Sequence, residues 1–297
     1  MIGTKTADRL ATGAFYAVGF FTAALLVVFV GYLLVHGWSK LNPHFLLAPP
    51  EFVKAGGGIG PQLFDSVYML VMAMAITIPV GLAAGIYMAE YAKPGKLTDT
   101  IRLCIETLAS LPSIVIGLFG LIIFVNLTGW GYTLFGGALA VAVLNLPVAT
   151  RVSEDAIRSV PQSIREASYG LGATQWQTIT RAVLPAALPG LLTGFIMTAG
   201  RAFGEAAALL YTAGMSTPLL DYSDLNPFSN SSPLNPFRPG STLAVYIWKV
   251  NSEGLVPDAR EIADGASAVL VLAVLGFNLM SRYLGSLLSA RLVGRRG

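Results

Sequence analysis

Two ionisable residues, Arg201 and Glu205, stand four apart inside the apolar stretch AGRAFGEAAALLYTAG. On a helix that spacing puts both side chains on one face. Counted from Pro185 at ~1.5 Å per residue, Arg201 falls some ~24 Å along, deep inside a membrane-spanning segment and toward its outer half. A charge there costs roughly 2.5–3.5 kcal/mol on insertion scales, so neither side chain should face lipid. One reading is a self-neutralising pair that locks the helix. The favoured reading is a pathway element, an arginine that meets an anion or gates its passage and is held by Glu205. Intramembrane ionisable groups mark substrate routes, and Gly200 and Gly204 beside the pair permit close helix packing.

The other reactive residue types do not assemble a catalytic set. No Ser-His-Asp combination, paired carboxylates or metal cluster gathers on one side of the chain. His36 and His44 are eight apart without Cys or acidic neighbours, which argues against a metal site. Cys104, the single cysteine, sits in an apolar run and reads as a buried packing thiol. G-x-x-x-x-G-K-[ST] occurs nowhere, and the AGGGIGP run at 55–61 reads as a flexible surface turn. Glu90, Glu106 and Asp65 fall at span ends, where interfacial solvation is the simple account. The Asn126 and Asn230 triplets carry no weight as glycosylation signals.

The elements that must hold Arg201 follow from composition. Of 297 residues 54% are hydrophobic and only 12% charged, against roughly 25% charged in soluble domains. This predicts an all-α polytopic membrane protein. Apolar runs predict six transmembrane helices at about 13–35, 65–91, 103–126, 132–150, 186–212 and 264–290, each near the roughly 20 residues a bilayer needs. Residues 1–62 form a first span with its outer loop, and 63–297 the main domain, including a polar loop at 151–185 and a long outer loop at 213–262. With the N-terminus cytoplasmic, 13 of the 19 Lys and Arg residues fall in inner segments. That bias selects the topology and explains the pI of 9.0 without nucleic acid. The proline-dense NPFSNSSPLNPFRPGS opposes a continuous helix. TLAVYIWKV after it either packs on the outer ends of the spans or lies in the lipid interface.

The 151–185 loop has internal order. Ser159 with Gln162 has capping-box spacing and Pro161 suits a first turn, predicting a short helix whose Arg158, Arg165 and Glu166 stay wet. Gly170 and Gly172 provide a bend. A second helix begins at Thr174, capped with Gln177, carries Trp176, Ile179 and Val183 on one face, and stops near Pro185.

Glu166-Ala167-Ser168, three residues, Gly172, nine residues, then a turn ending in Leu184-Pro185, resembles the EAA loop of ABC importer permeases, with Ser168 and Ala182 as the two departures. LASLPSIVIGLFGL, GRAFGEAAALLYTAG and TLAVYIWKV are similar to the PstA-type permeases of phosphate importers, so the resemblance covers nearly the whole chain after residue 62. It implies a type I permease fold in a bacterial inner membrane and assigns Glu166, Ala167, Ser168, Gly172, Leu184 and Pro185 to ATPase coupling. It also implies three partners: an ABC ATPase dimer holding ATP and Mg, a second homologous permease as heterodimer mate, and an extracytoplasmic phosphate-binding protein. The chain itself is then a transport subunit with no cofactor and no enzyme activity. A permease for molybdate, sulfate or phosphonate shares these features, and a polytopic enzyme or a channel is the reading from another class.

Overall fold

The computed structural model describes residues 4–51, 54–254 and 257–292, whose regular structure is all helical, with no strand among them. Arg295 and Arg296 of the basic count lie outside the described residues. Among the described residues, five helices are long and apolar enough to cross a membrane, or six if one bent pair forms a single span. Helix α1 (Thr4–Gly37) is exposed along its apolar length and meets the body near its end, where Gly37 lies against Asp264 and Ala268 of the last helix. A turn at Trp38–Lys40 and the short α2 (Pro43–Leu47), capped by Asn42, follow. The glycines at 56–58 are not a loose turn. Gly58 N–H donates to Pro49 O at 2.9 Å, and a Cβ on Gly58 would sit 2.5 Å from Ala48 O, so the chain needs glycine for close backbone approach.

Helix α3 (Gly60–Ile86) ends in a wide π-helical turn, Tyr87–Tyr91. The expected single span 103–126 is instead two helices, α4 (Lys96–Ser110) and α5 (Ser113–Gly120), the latter continuing through a π turn at Leu121–Leu127, bent by 97°. Pro112 causes the break: it disfavours helical backbone at Leu111, which is extended at φ −68°, ψ 135°. Cys104 on α4 is exposed, so the packing role expected for it is not realised. Helix α6 (Leu134–Arg158), capped by Thr133, runs eight residues past the expected span end at 150, taking the first eight residues of the polar loop with it.

After α6 come α7 (Gln162–Gly170), α8 (Gln175–Thr178), a π turn at Ile179–Val183, and α9 (Leu184–Phe203). The fifth span was expected to reach 212, but it stops at Gly204, and the short α10 (Ala207–Leu210) follows. Helix α11 (Leu243–Glu253) contains the TLAVYIWKV residues, and α12 (Ala259–Leu292) closes the chain. Leu243, Tyr246 and Val250 of α11 are buried with Phe45, Ile59 and Ile262, so this segment packs on the helix ends. Burial, with the charge of Asp258, pushes the Tyr246 phenol up to about 12.

Helices α3 and α6 run parallel and in intimate contact. A Cβ on Gly81 would lie 2.6 Å from Ala149 Cβ, and Gly85 meets Ser153 even more closely. Helix α9 returns antiparallel, placing Gly190 and Gly194 against Ala156 and Val152. Small residues let these helices approach where lipid gives little hydrophobic drive between them. One end of the bundle carries α7 and α8; the other carries α2, α11 and the 213–242 loop.

Candidate functional site: a glycine elbow and an arginine at a helix break

The elbow between α6 and α9 is built differently in its two arms. Ser159 does not cap α7. Its Oγ donates to Ala156 O at 2.7 Å at the end of α6, and Pro161, which has no hydroxyl to offer, occupies the N-cap. The second arm follows the sequence closely. Thr174 Oγ1 accepts from Gln177 N at 3.3 Å and Gln177 Oε1 accepts from Thr174 N at 2.9 Å, completing the capping box. Gly172 turns the chain at φ +81° with open space around its α-carbon, so backbone conformation alone demands glycine. The Ser168 and Thr178 hydroxyls, 2.8 Å apart, tie the arms together.

The elbow separates buried from exposed residues. Ile179 and Val183 are fully buried beneath it, whereas Trp176, expected on their face, is 59% exposed and Leu171 is 90% exposed. Glu166 and Ala167 are exposed on α7, Leu184 is half-buried, and Pro185 is exposed in the first turn of α9. Arg165 corrects the expectation of a wet side chain. Its Nη2 lies 2.7 Å from Glu90 Oε1 and also donates to Ile157 O at 2.9 Å, while Nη1 donates to Val160 O at 2.7 Å. A charge so deeply placed requires these partners. A polar cleft of about 540 Å³ beside it is lined by Glu90, Arg158, Arg165 and Gln175 among others.

The Arg201–Glu205 arrangement also differs from expectation. Arg201 lies in the last turn of α9, exposed, and makes no ion pair among the described residues. Glu205 falls beyond the helix break at Gly204, where its Oε1 accepts from Ala208 N, in the first turn of α10, at 3.3 Å. The break removes the shared helical face on which the i, i+4 expectation rested. What remains is a cation projecting from the end of an apolar helix, with no ion-pair partner among the described residues.

Two carboxylates that sequence reasoning left at solvated span ends are interior ion-pair partners. Glu90 is held by Arg165, and fully buried Asp65 receives Arg238 Nη2 at 2.6 Å and Thr217 Oγ1 at 2.9 Å. Glu106 is exposed, as expected. Glu154, not singled out in the sequence, bridges Arg102 at 2.6 Å and Arg158 at 3.0 Å, and only its i, i+4 spacing to Arg158 signalled this.

A bundle of long apolar helices with a polar elbow at one end is the architecture of a multi-pass membrane protein. The chain belongs to the family of binding-protein-dependent transport system inner membrane components, whose model matches residues 81–294. It is 55% identical over 288 residues to the probable ABC transporter permease protein YqgI of Bacillus subtilis, covering 97% of this chain and 98% of that one. It is 38% identical over 167 residues to the phosphate transport system permease protein PstA of Xylella fastidiosa, covering 56% and 58% of the two chains. Among solved structures it matches a bacterial alginate ABC transporter in complex with a periplasmic protein bound to an alginate pentasaccharide, with a TM-score of 0.63, 15% identity and 98% of both chains covered. This last similarity supports the fold alone.

Proposed function

We propose that this chain is the membrane permease subunit of an ATP-driven importer of inorganic phosphate in a bacterial inner membrane. It would pair with a second, homologous permease to enclose the path and receive solute from an extracytoplasmic phosphate-binding protein. An ATPase dimer, holding ATP and Mg, would dock on the elbow from the cytoplasm. Glu166, Ala167, Ser168 and Gly172 shape the docking elbow, while Leu184 and Pro185 start the helix that leads from it to Arg201. The observation that carries the reading is Arg201, a guanidinium at the broken end of α9 with no carboxylate among the described residues paired to it. Such a cation is costly unless it faces a polar path, where it can meet or gate a passing anion. The similarity to PstA permeases favours phosphate among the oxyanions. Glu205 acts beside the path by holding α10, which begins where the path helix breaks.

Uptake of labelled phosphate into cells expressing the complex, with molybdate, sulfate and phosphonate as competitors, tests the substrate. Phosphate alone should compete at equimolar concentration; stronger competition by another oxyanion would assign the chain to that solute. Co-purification of a nucleotide-hydrolysing subunit separates this permease from a channel or a membrane enzyme.

A further inference from the structure

We infer that the buried Glu90–Arg165 pair is the joint through which movement of the α7–α8 elbow reaches α3, which makes Glu90 a positioning residue for transport. The inference rests on the permease reading above. Arg165 ties three elements together: it belongs to α7, donates to the carbonyl of Ile157 in the last turn of α6 and to that of Val160 just beyond it, and grips Glu90 at the end of α3 through both Nε, at 3.0 Å, and Nη2. A cation over the last carbonyls of α6 also suits the negative end of that helix.

The end of α3 is held a second and a third time. Gln175 Nε2 of α8 donates to Glu90 O at 2.9 Å, and Arg158 Nη2 of α6 donates to Met88 O at 3.1 Å. These carbonyls belong to the closing π turn, where helix ends leave acceptors without partners in the chain's own ladder. At its other end α3 is fixed through Asp65 to Arg238 of the 213–242 loop. Between the two, Gly81 and Gly85 lie too close to α6 for any side chain. Helix α3 is thus tied at both ends by buried ion pairs and backed along its length, the construction of a rod that transmits displacement.

The joint sits where a push on the elbow would be felt. Glu166, the next residue after Arg165, is exposed, so adjacent α7 positions divide between an accessible face and the joint. A directional pair in a low-dielectric interior resists slippage in a way that apolar contacts do not. The cleft beside Arg165 leaves α7 room to rotate.

The test uses the whole complex, purified with its ATPase and reconstituted into liposomes, reading phosphate imported per ATP hydrolysed. Glu90→Ala is expected to retain the ATPase and its basal hydrolysis while this ratio falls by about tenfold, the size of an ordinary coupling free energy between sites. Glu90→Gln, which keeps the shape and the acceptor oxygen but not the charge, should show a smaller fall in the same direction. A merely structural role lowers yield and hydrolysis together and leaves the ratio alone. A wild-type ratio in the assembled Glu90→Ala complex overturns the joint; if that variant does not assemble, a wild-type ratio in Glu90→Gln does so. Wild-type preparations that hold no ATPase, or that import no oxyanion, overturn the permease reading on which the joint depends.

Discussion

Asp65 and Arg238, 173 residues apart, form a fully buried ion pair at 2.6 Å that fastens the 213–242 loop to the start of α3. The carboxylate is further held by Thr217, whose Oγ1 accepts from Ser241 N at 3.1 Å, and Arg238 donates back to Pro233 O at 3.0 Å. Both strands of the loop therefore converge on one carboxylate.

Asp65→Ala leaves the Arg238 charge buried without its partner, and loss of one member of such a pair costs roughly 3–5 kcal/mol. The variant should unfold at a clearly lower temperature in detergent than wild type. The double replacement Asp65→Leu with Arg238→Met should recover most of that loss. If the double variant is no more stable than Asp65→Ala, the pair is not what holds the loop.

Arg201 and Glu205 should separate in their effects. Arg201→Ala is expected to abolish phosphate uptake while membrane insertion and thermal stability stay near wild type, since the side chain has no ion pair to lose among the described residues. Glu205→Ala removes the hydrogen bond to Ala208 N in the first turn of α10, worth about 1 kcal/mol, and should lower stability by that amount while uptake survives in part. Normal uptake by Arg201→Ala would remove the arginine from the path, and equal defects in both variants would restore the idea of a functional pair.

Leu171 and Trp176 offer a third test. Both are exposed on the elbow, and surface substitutions free of buried contacts usually change stability by no more than about 0.5 kcal/mol. Leu171→Ser and Trp176→Ser should therefore leave the melting temperature unchanged but reduce the ATPase recovered with the complex. Full recovery with both serines in place would move the docking surface elsewhere.

Much of this architecture was legible in the sequence because it is written locally. The span at 65–91 is an unbroken apolar run, and Thr174 with Gln177 announces its capping box within four residues. The misjudged features depend on partners far along the chain or on one residue overriding its neighbours. Glu90 and Arg165 are 75 residues apart, and nothing near either reveals that the fold buries them together. Pro112 splits an apolar run that hydropathy reads as continuous. Gly204 looked like a packing glycine and instead ends α9, which is why the i, i+4 reading of Arg201 and Glu205 failed while the candidate arginine itself was in plain view. Arg165 looked wet because amphipathic periodicity cannot see the carbonyls of Ile157, in the last turn of α6, and Val160, just after it.

Gly172 gives the sharpest test of the elbow as a lever. Its φ of +81° lies in the left-handed region, where a side chain costs roughly 1–2 kcal/mol and a β-branched one more, yet no atom lies within 4 Å of where a Cβ would stand. Gly172→Val must therefore act through the backbone alone, opening the turn that Ala173 N–H makes to Ser168 O at 3.2 Å and shifting α7 relative to α8. Uptake should fall while ATP hydrolysis by the complex continues without its response to loaded binding protein. Gly172→Asn, which tolerates left-handed backbone better, should keep most of the coupling. Were hydrolysis in Gly172→Val still stimulated as in wild type, the bend would have no part in transmission, and the exposed Glu166–Ala167 face would have to act without it.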